Sequence, residues 1–333
     1  MDIRNTSELK SFAAQRLDNA RDGQKIVLIY TLITIAAAAL VNVVNYCLGL
    51  QIAKTGGLGS MGTRSMLSTV QMLLPIAQSL FLMCLELGYI STMLRTARGQ
   101  YASPNGLRLG FDRFWVLLRC SLLRGLIYFT VGMVSIYVGV IIYLMTPLSE
   151  PAMELLTPLV ADAMTSGESA LVMNEAIYDQ VVSAMTPALI LCGILFLAVA
   201  APFFYQYRMA DYLLIDRPGI GAFAALKESR KMMKGNKLHM LRLDISLWWY
   251  YAALLAASLV CYGDQILPML GVNLPLSGDV GYFVFFGLYL AVTFVVYYFL
   301  RNRVEVTYAL AYDSLRPKEP ENTGVVLGNI FQM

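Results

Sequence analysis

Charged residues are scarce in this chain of 333 residues, and so are the side chains on which most enzyme chemistry depends. Asp, Glu, Lys and Arg make up 14% of the sequence, against about a quarter in ordinary soluble domains. A single histidine, His239, excludes a pair of histidine metal ligands and a Ser-His-Asp triad. The sequence also lacks phosphate-loop, HExxH and GxSxG motifs. We therefore expect a protein that is not an enzyme, with no cofactor and no bound metal.

Cysteine is sparse as well, and no two cysteines are close in sequence. All five stand singly in or beside apolar segments, at Cys47, Cys84, Cys120, Cys192 and Cys261. Buried cysteine usually behaves as a small apolar residue. This pattern argues against a disulfide framework and against a zinc site.

Apolar residues, by contrast, fill 58% of the chain and give it a mean hydropathy of +0.60. They are grouped in blocks of about 20 residues, the length that crosses roughly 30 Å of hydrocarbon at about 1.5 Å per residue. We therefore predict an all-α, polytopic membrane protein with six transmembrane helices. The spans are predicted at about residues 26–50, 67–94, 125–146, 188–207, 245–263 and 281–300.

The basic residues divide the connecting segments into two kinds. Of the 25 Lys and Arg residues, all but Lys54 and Arg64 lie in four segments. The external loop 147–187 has no basic residue and several acidic ones. By the positive-inside rule, both termini are predicted to be cytoplasmic. We expect the basic face to contact anionic headgroups of the lipid bilayer, and we expect no nucleic-acid binding. The four basic segments are 1–25, 95–124, 208–242 and the region from 301 onward.

These patterns predict three regions. Residues 1–25 are expected to form a cytoplasmic amphipathic segment, residues 26–315 the six-span membrane domain and residues 316–333 a cytoplasmic tail. In the loop 147–187, apolar residues lie between the acids, which favours short amphipathic helices that cap the external face.

Similar stretches indicate an internal repeat. Residues 22–28 read DGQKIVL and residues 234–240 read KGNKLHM, each before an apolar span. Gly before an amide residue predicts a helix stop, because Gly takes the left-handed conformation after a helix at little cost. Arg-Pro recurs at 217–218 and 316–317. We predict three hairpin repeats, each with a cytoplasmic amphipathic helix, an outward span and an inward span that extends into the cytoplasm.

The stretch before the fifth span resembles a known family. It combines an Ala-Leu-Lys-x-Ser-x-x-Met-Met pattern with Lys-Gly-Asn-Lys and an aromatic-led span. In this it is similar to the bacterial integral-membrane family catalogued as domain of unknown function 975, and residues 22–25 resemble that family's N-terminal counterpart. The resemblance implies this architecture and a bacterial plasma (inner) membrane. The family carries no assigned reaction, so the resemblance implies no activity. The matching residues are Ala225, Leu226, Lys227, Ser229, Met232, Met233, Lys234, Gly235, Asn236 and Lys237.

The second span has a polar face. Gln71, Gln78 and Glu86 fall on one side of a helix, together with Pro75 and Leu82. Polar groups are costly against lipid, so this face should point into the helix bundle or a hydrated cavity. One hypothesis is a polar path with Glu86 as a proton or cation site. The other is hydrogen bonding between helices, with Glu86 paired to a base such as Arg208.

Three further sets of residues are candidates for contacts. Arg208 and Asp211, three residues apart, are predicted to form an ion pair. Gly125, Gly132 and Gly139 form a stripe of small residues that favours close helix packing. A third set is predicted to contact lipid headgroups, and it comprises Lys227, Arg230, Lys231, Lys234 and Lys237.

The leading functional hypothesis is a membrane-organising or accessory protein without catalysis. Its partners are expected to be the bilayer itself and either another membrane protein or a second copy of the chain. The alternative is a small-solute or ion permease that uses the polar face of the second span.

Overall fold

The computed structural model describes residues 5–20, 22–54, 61–155, 157, 175–269 and 278–316. Residues 156 and 158–174 of the loop 147–187, and residues 317–333 of the tail, therefore lie outside the described residues, and so does most of the segment predicted to form the capping helices. The described part of the chain is helical and contains no strand.

Thirteen helices are used below. The first five are α1 (Thr6–Asp18), α2 (Gly23–Lys54), α3 (Met61–Ala97), α4 (Leu109–Asp112) and α5 (Phe114–Leu144). They are followed by α6 (Glu175–Tyr207), α7 (Ala210–Asp216), α8 (Ala222–Met232), α9 (Lys237–Ser246) and α10 (Trp248–Cys261). The last three are α11 (Gly263–Met269), α12 (Asp279–Val296) and α13 (Asn302–Leu315). Short 3₁₀ turns cover Pro104–Arg108 and Pro147–Ser149, and a π-helical turn, Tyr297–Arg301, joins α12 to α13.

Within the described residues, five helical stretches are long and apolar enough to cross a membrane. They are Gly23–Lys54, Gly62–Ala97, Phe114–Leu144, Val182–Asp216 and Asp279–Leu315. A sixth candidate is the pair α9 and α10, which is bent by 63°. The fifth span predicted at about 245–263 falls on α10, which alone has 14 residues, about 21 Å at 1.5 Å per residue, and the six-span count therefore remains a prediction.

The local sequence accounts for several helix ends. The side chain of Asn5 caps α1 by accepting a hydrogen bond from the backbone N–H of Glu8, at 3.3 Å. Gly99 and Gly235 end α3 and α8 with φ values of +70° and +85°, a conformation that favours glycine. The helix stop predicted at Gly235 is thus confirmed. At Gly23 it is wrong, because Gly23 is the first residue of α2 and lacks a positive φ.

The chain divides into two compact units, residues 1–119 with 209–333, and residues 120–208. In the larger unit the buried residues are concentrated at one end of the long helices. We call this region the polar layer, and it consists of α1, residues 84–97 of α3, residues 104–112, α7, α8, α9 and α13. Leu9, Leu94 and Leu213 are at most 2% exposed there. In the most apolar stretch of each long helix, by contrast, only 11–33% of the residues are buried.

Backbone close approach holds part of this layer together. A Cβ at Gly88 would lie 2.1 Å from the carbonyl oxygen of Leu107, and one at Gly110 would lie 1.9 Å from that of Cys84. Both distances are far below van der Waals contact, so only glycine fits either position. The 104–112 segment can therefore pack directly on the backbone of α3.

In the smaller unit, α5 packs against α6. A Cβ at Gly139 would lie 2.6 Å from Sγ of Cys192, and one at Gly132 would lie 3.4 Å from the Phe196 ring. Of the predicted stripe, Gly132 and Gly139 therefore face α6, whereas Gly125 has no such atom within 4 Å.

Candidate functional site

The predicted polar face of α3 divides between two sets of partners. The side-chain amide of Gln71 donates to the backbone carbonyl of Asn45 at 3.5 Å, the long limit of a hydrogen bond. Gln78 is half-buried. Glu86 instead binds residues at the inner end of the face, in the polar layer. No described contact joins the three side chains into a chain of hydrogen bonds.

Glu86 forms an ion pair with Arg301, at the end of the π-helical turn. The Nη2 atom of Arg301 lies 2.6 Å from Oε1 and 2.5 Å from Oε2 of Glu86. The hydroxyl of Tyr30 donates a further hydrogen bond to Oε2. Glu86 is thus paired to a base, as one hypothesis expected, but Arg301 is that base and the suggestion of Arg208 is wrong.

Three tyrosine rings surround the Arg301 guanidinium. Its Cζ atom lies 4.5 Å from the ring centroid of Tyr297, 4.7 Å from that of Tyr30 and 5.3 Å from that of Tyr89. Tyr30 and Tyr89 stack on each other with centroids 4.3 Å apart. Aromatic faces attract a cation, and the attraction strengthens when water is excluded. The rings and the carboxylate together compensate for placing Arg301 where only 12% of its side chain is exposed.

The π-helical turn Tyr297–Arg301 inserts an extra residue into the helical ladder between α12 and α13. Such turns are frequent at functional sites because they redirect a side chain. Sequence reasoning missed Arg301, which counted only as one of the basic residues used for topology. The signal available was an arginine at the end of an apolar, aromatic-rich run, YYFLR, where an acidic partner from another span was to be expected.

Further hydrogen bonds run along α13 beyond this pair. The hydroxyl of Tyr89 donates to Oδ1 of Asn302 at 2.8 Å, and Tyr212 donates to Oε1 of Glu305 at 2.7 Å. Tyr308 donates to Oδ1 of Asp244 at 2.8 Å. Residues 302, 305 and 308 are spaced three apart and so lie on one face of α13. This face therefore makes hydrogen bonds with α3, α7 and α9.

A second ion-pair cluster closes the ends of three helices. Arg98, just after α3, binds Asp313 of α13 through Nε at 3.1 Å and through Nη2 at 2.6 Å. Its Nη1 lies 2.8 Å from Asp216, at the end of α7, and Asp216 also pairs with Arg316 at 3.2 Å. The hydrogen bond to Asp313 raises the pKa of Arg98, against the lowering effect of partial burial. Arg98 is therefore a fixed positive charge at every accessible pH.

The predicted headgroup residues lie on the outside of α8. Lys227, Arg230, Lys231 and Lys234 are exposed, and Lys237 is half-buried at the start of α9. The opposite face of α8 is buried in the polar layer through Ala222, Ala225, Leu226, Ser229 and Met232. Glu228 pairs with Arg217 at 2.8 Å, which holds α8 against the end of α7.

Arg208 and Asp211 remain a predicted ion pair. The guanidinium of Arg208 lies 5.6 Å from the ring centroid of Phe204 and 5.8 Å from that of Tyr205. Asp211 lies in the first turn of α7. The two residues fall in different units of the chain.

A polar cleft of about 290 Å³ opens beside the polar layer. It is lined by residues of the α1 end, the α2 start and the segment after α3, among them Arg16, Asp22 and Tyr101. Tyr101 donates to Asp22 at 3.0 Å across this cleft. In the part of the chain that the structure describes, no three His, Cys, Asp or Glu side chains are grouped so as to hold a metal ion.

Long apolar helices, joined in the larger unit by a buried polar network, suggest the class of multi-pass helical membrane proteins. Residues 1–318 match the family described as Protein of unknown function (DUF975), and the chain belongs to this family. No curated protein and no solved structure matches the chain. Family membership confirms the resemblance found in the sequence and brings no reaction with it.

Proposed function

We propose that this protein is a multi-pass protein of the bacterial plasma membrane that organises lipid or assists another membrane protein, without catalysis. Both termini and the polar layer lie on the cytoplasmic side. One observation carries the proposal. The basic residues of α8 are exposed on one face, whereas the other face of the same helix is fixed in the protein.

Electrostatics favours lipid as the first contact of that face. Lys227, Arg230 and Lys231 project from α8, which Glu228 and Ser229 attach to the adjacent α7 region, and Lys234 follows the end of α8. A lysine or arginine near an anionic bilayer surface contributes about 1 kcal/mol of attraction. Four such charges on and just after a held helix would concentrate anionic lipid around the protein.

The packing of the larger unit supports the three-hairpin repeat and six spans. The end of α3 packs against the segment 104–112 that follows it, and α7 packs against α8 that follows it. The last inward helix, α13, packs against α1 at the start of the chain. The cytoplasmic end of each inward helix thus packs against a short helical segment. For α13 that segment is α1, from the start of the chain. We count the stretch that includes α10, entered from the cytoplasmic side through α9, as the fifth span.

Lipid analysis of the purified protein tests the proposal. The protein is purified from bilayers of mixed phosphatidylcholine and phosphatidylglycerol, and the retained lipids are quantified by mass spectrometry. Wild type should retain an excess of phosphatidylglycerol. The double variant Lys231→Gln/Lys234→Gln should reduce this excess by up to roughly 30-fold, if each lost charge removes about 1 kcal/mol.

The matched control is Lys54→Gln/Arg64→Gln, which removes two exposed basic residues from the other ends of α2 and α3. It should leave the excess unchanged. Equal phosphatidylglycerol retention by wild type and the Lys231/Lys234 variant would contradict the proposal.

Cysteine labelling in intact cells tests the orientation. In a cysteine-free background, Arg64→Cys should react with a membrane-impermeant maleimide from outside, and Lys231→Cys should react only after the cells are opened. The reverse pattern would place α8 outside the cell and refute a cytoplasmic polar layer.

The permease remains the second candidate, and the contacts of Glu86 weigh against it. Its carboxylate is already neutralised by Arg301 and hydrogen-bonded by Tyr30. A transported proton or cation would have to displace this pair. Flux of protons or small solutes into proteoliposomes, abolished by Glu86→Gln, would favour transport over the proposed function.

A further inference from the structure

Helix α9 has apolar side chains on two opposite sides. On one side Met240 and Leu243 are fully buried in the polar layer. On the other side Leu238, Leu241 and Ile245 are 68%, 38% and 61% exposed. At 100° per residue, these three residues lie within about 60° of one another around the helix. An apolar row of this kind is unfavourable in water, because apolar surface is more stable when it is removed from water.

The exposed row continues through the bend into α10. Trp248, Tyr251, Leu255 and Leu259 are 65%, 42%, 63% and 53% exposed. The spacing of three or four residues that begins at Leu238 is therefore kept across the 63° bend. Helix α10 is wholly apolar apart from Ser258 and its tyrosines, as expected of a helix among acyl chains. The same environment is expected for the continuous row on α9.

Specific bonds fix the orientation of α9. Lys10 of α1 donates to the backbone carbonyl of Ser246 at 2.7 Å, and Tyr308 of α13 donates to Asp244 at 2.8 Å. Because both bonds lie on the protein side, α9 cannot rotate to bury Leu238 and Ile245. The exposed row needs a partner from outside the described chain.

Cationic side chains border the same row. Lys234 and Arg242 are exposed, and Lys237 is half-buried at the first position of α9. Long basic side chains reach the headgroup level while their methylene stems lie on lipid. Trp248 at the bend is a residue type enriched at the membrane interface. An apolar row bordered by cations is complementary to an anionic phospholipid, with acyl chains against the row and phosphate against the charges.

We infer that α9 is an interfacial helix that inserts its outer face, Leu238, Leu241 and Ile245, into a single leaflet of the bilayer, with Lys234, Lys237 and Arg242 on lipid phosphates. This inference rests on the membrane placement in the proposed function. It adds a second lipid site, which takes acyl chains as well as headgroups. The protein then occupies more area in the leaflet that contains α9 than its spans alone require.

The depth of α9 can be measured with a fluorescent label. In a cysteine-free background, NBD is attached at Ile245→Cys and, as the control, at Lys231→Cys on the exposed face of α8. Both proteins are placed in phosphatidylcholine nanodiscs. NBD at 245 should shift its emission to the blue, be quenched by doxyl groups on the acyl chains and lose quenching by aqueous iodide. NBD at 231 should show the reverse pattern.

Leu238→Cys is the second variant, used if the 245 variant does not fold, and it should behave as 245 does. Iodide quenching at both 238 and 245 would overturn the inference, because the row would then face water. Protection from both quenchers would also overturn it, because a second copy or a partner protein would then cover the row.

The outcome can be separated from that of the proposed function. The depth measurement uses uncharged phosphatidylcholine bilayers, and so it does not depend on anionic lipid. If Lys231→Gln/Lys234→Gln retains phosphatidylglycerol while NBD at 245 reports acyl chains, the headgroup proposal fails and the interfacial helix stands. The opposite pair of results would leave the headgroup proposal intact and remove the interfacial helix.

Discussion

The two halves of α3 are surrounded differently. In the first half Met66, Met72 and Leu73 are 73%, 73% and 55% exposed, whereas in the second half Tyr89, Met93 and Leu94 are at most 1% exposed. One continuous helix of 37 residues thus runs from a region where large apolar side chains are exposed into the closely packed polar layer. At about 1.5 Å per residue it is roughly 55 Å long, far more than the 30 Å of a hydrocarbon core. Buried residues of α3 are therefore concentrated where the helix exceeds the length of a span.

The largest loss of stability is expected at Gly110, where the backbone of the 104–112 segment contacts the backbone of α3. Gly110→Ala would place a Cβ 1.9 Å from the Cys84 carbonyl oxygen. Overpacking usually costs about 1–3 kcal/mol, and a backbone atom cannot move aside as a side chain can. We therefore expect a loss of more than about 3 kcal/mol, seen as loss of monodisperse protein in size-exclusion chromatography. Gly287→Ala on α12, which meets nothing within 4 Å, is the control, and an equal loss there would disprove the explanation by close approach.

The comparison within α3 can be tested with one substitution at two sites. Leu94→Ala, at a site 1% exposed, should cost about 2–5 kcal/mol by opening a cavity. Leu73→Ala, at a site 55% exposed, should cost less than about 0.5 kcal/mol. Denaturation of the purified protein in detergent measures both. Similar costs at the two sites would show that the spans are packed as closely as the polar layer.

Removing one partner of the Glu86–Arg301 pair tests the charge balance of the layer. Arg301→Met leaves the carboxylate without its counter-charge, and breaking a buried pair costs about 3–5 kcal/mol. Because Glu86 is 35% exposed, we expect a loss of about 3 kcal/mol. The double variant Glu86→Leu/Arg301→Met should recover part of that stability, measured in the same denaturation experiment. A double variant as unstable as the sum of the two single variants would show that the pair is not coupled.

The smallest loss of stability is expected when a single hydroxyl group is removed. Tyr89→Phe removes the bond to Asn302 but keeps the ring beside Arg301. The expected loss is about 1 kcal/mol. Tyr137→Phe is the control, since Tyr137 is 71% exposed in the smaller unit. A neutral result at Tyr89 would indicate that water replaces the lost hydroxyl at the buried amide.

The sequence predicted the helical class, the family and the long inward helices because these depend on apolar length and local motifs. Five of the six predicted spans fall on single helical stretches of the described chain, each of which extends beyond the predicted span at one end or both, and the last is continuous through its π-helical turn. The bend at Leu247 lies where the charged helix α9 meets the apolar stretch WWYYAALLAASLVC, and its angle was not predictable because hydropathy carries no information about the direction of a helix. Family membership is confirmed, whereas the orientation and the six-span count remain predictions.

Of the Glu86–Arg301 pair, only Glu86 was predicted from the sequence. The helical period put Glu86 on a polar face, and charge balance required a base near it. The choice among the basic residues depends on which distant helices pack together, and a pattern within one helix carries no such information. Glu86 and Arg301 are 215 residues apart in sequence, so only the fold identifies the pair.

That separation has a consequence for biosynthesis. At about 5–20 residues per second, a ribosome needs roughly 10–40 s to add the residues between Glu86 and its arginine. During that interval the carboxylate on the nascent chain has the Tyr30 hydroxyl within reach and no cation from the last helix. Both contacts can form only after α13 has been synthesised, when Arg301 supplies the missing positive charge and Asp313 binds Arg98 at the earlier helix ends.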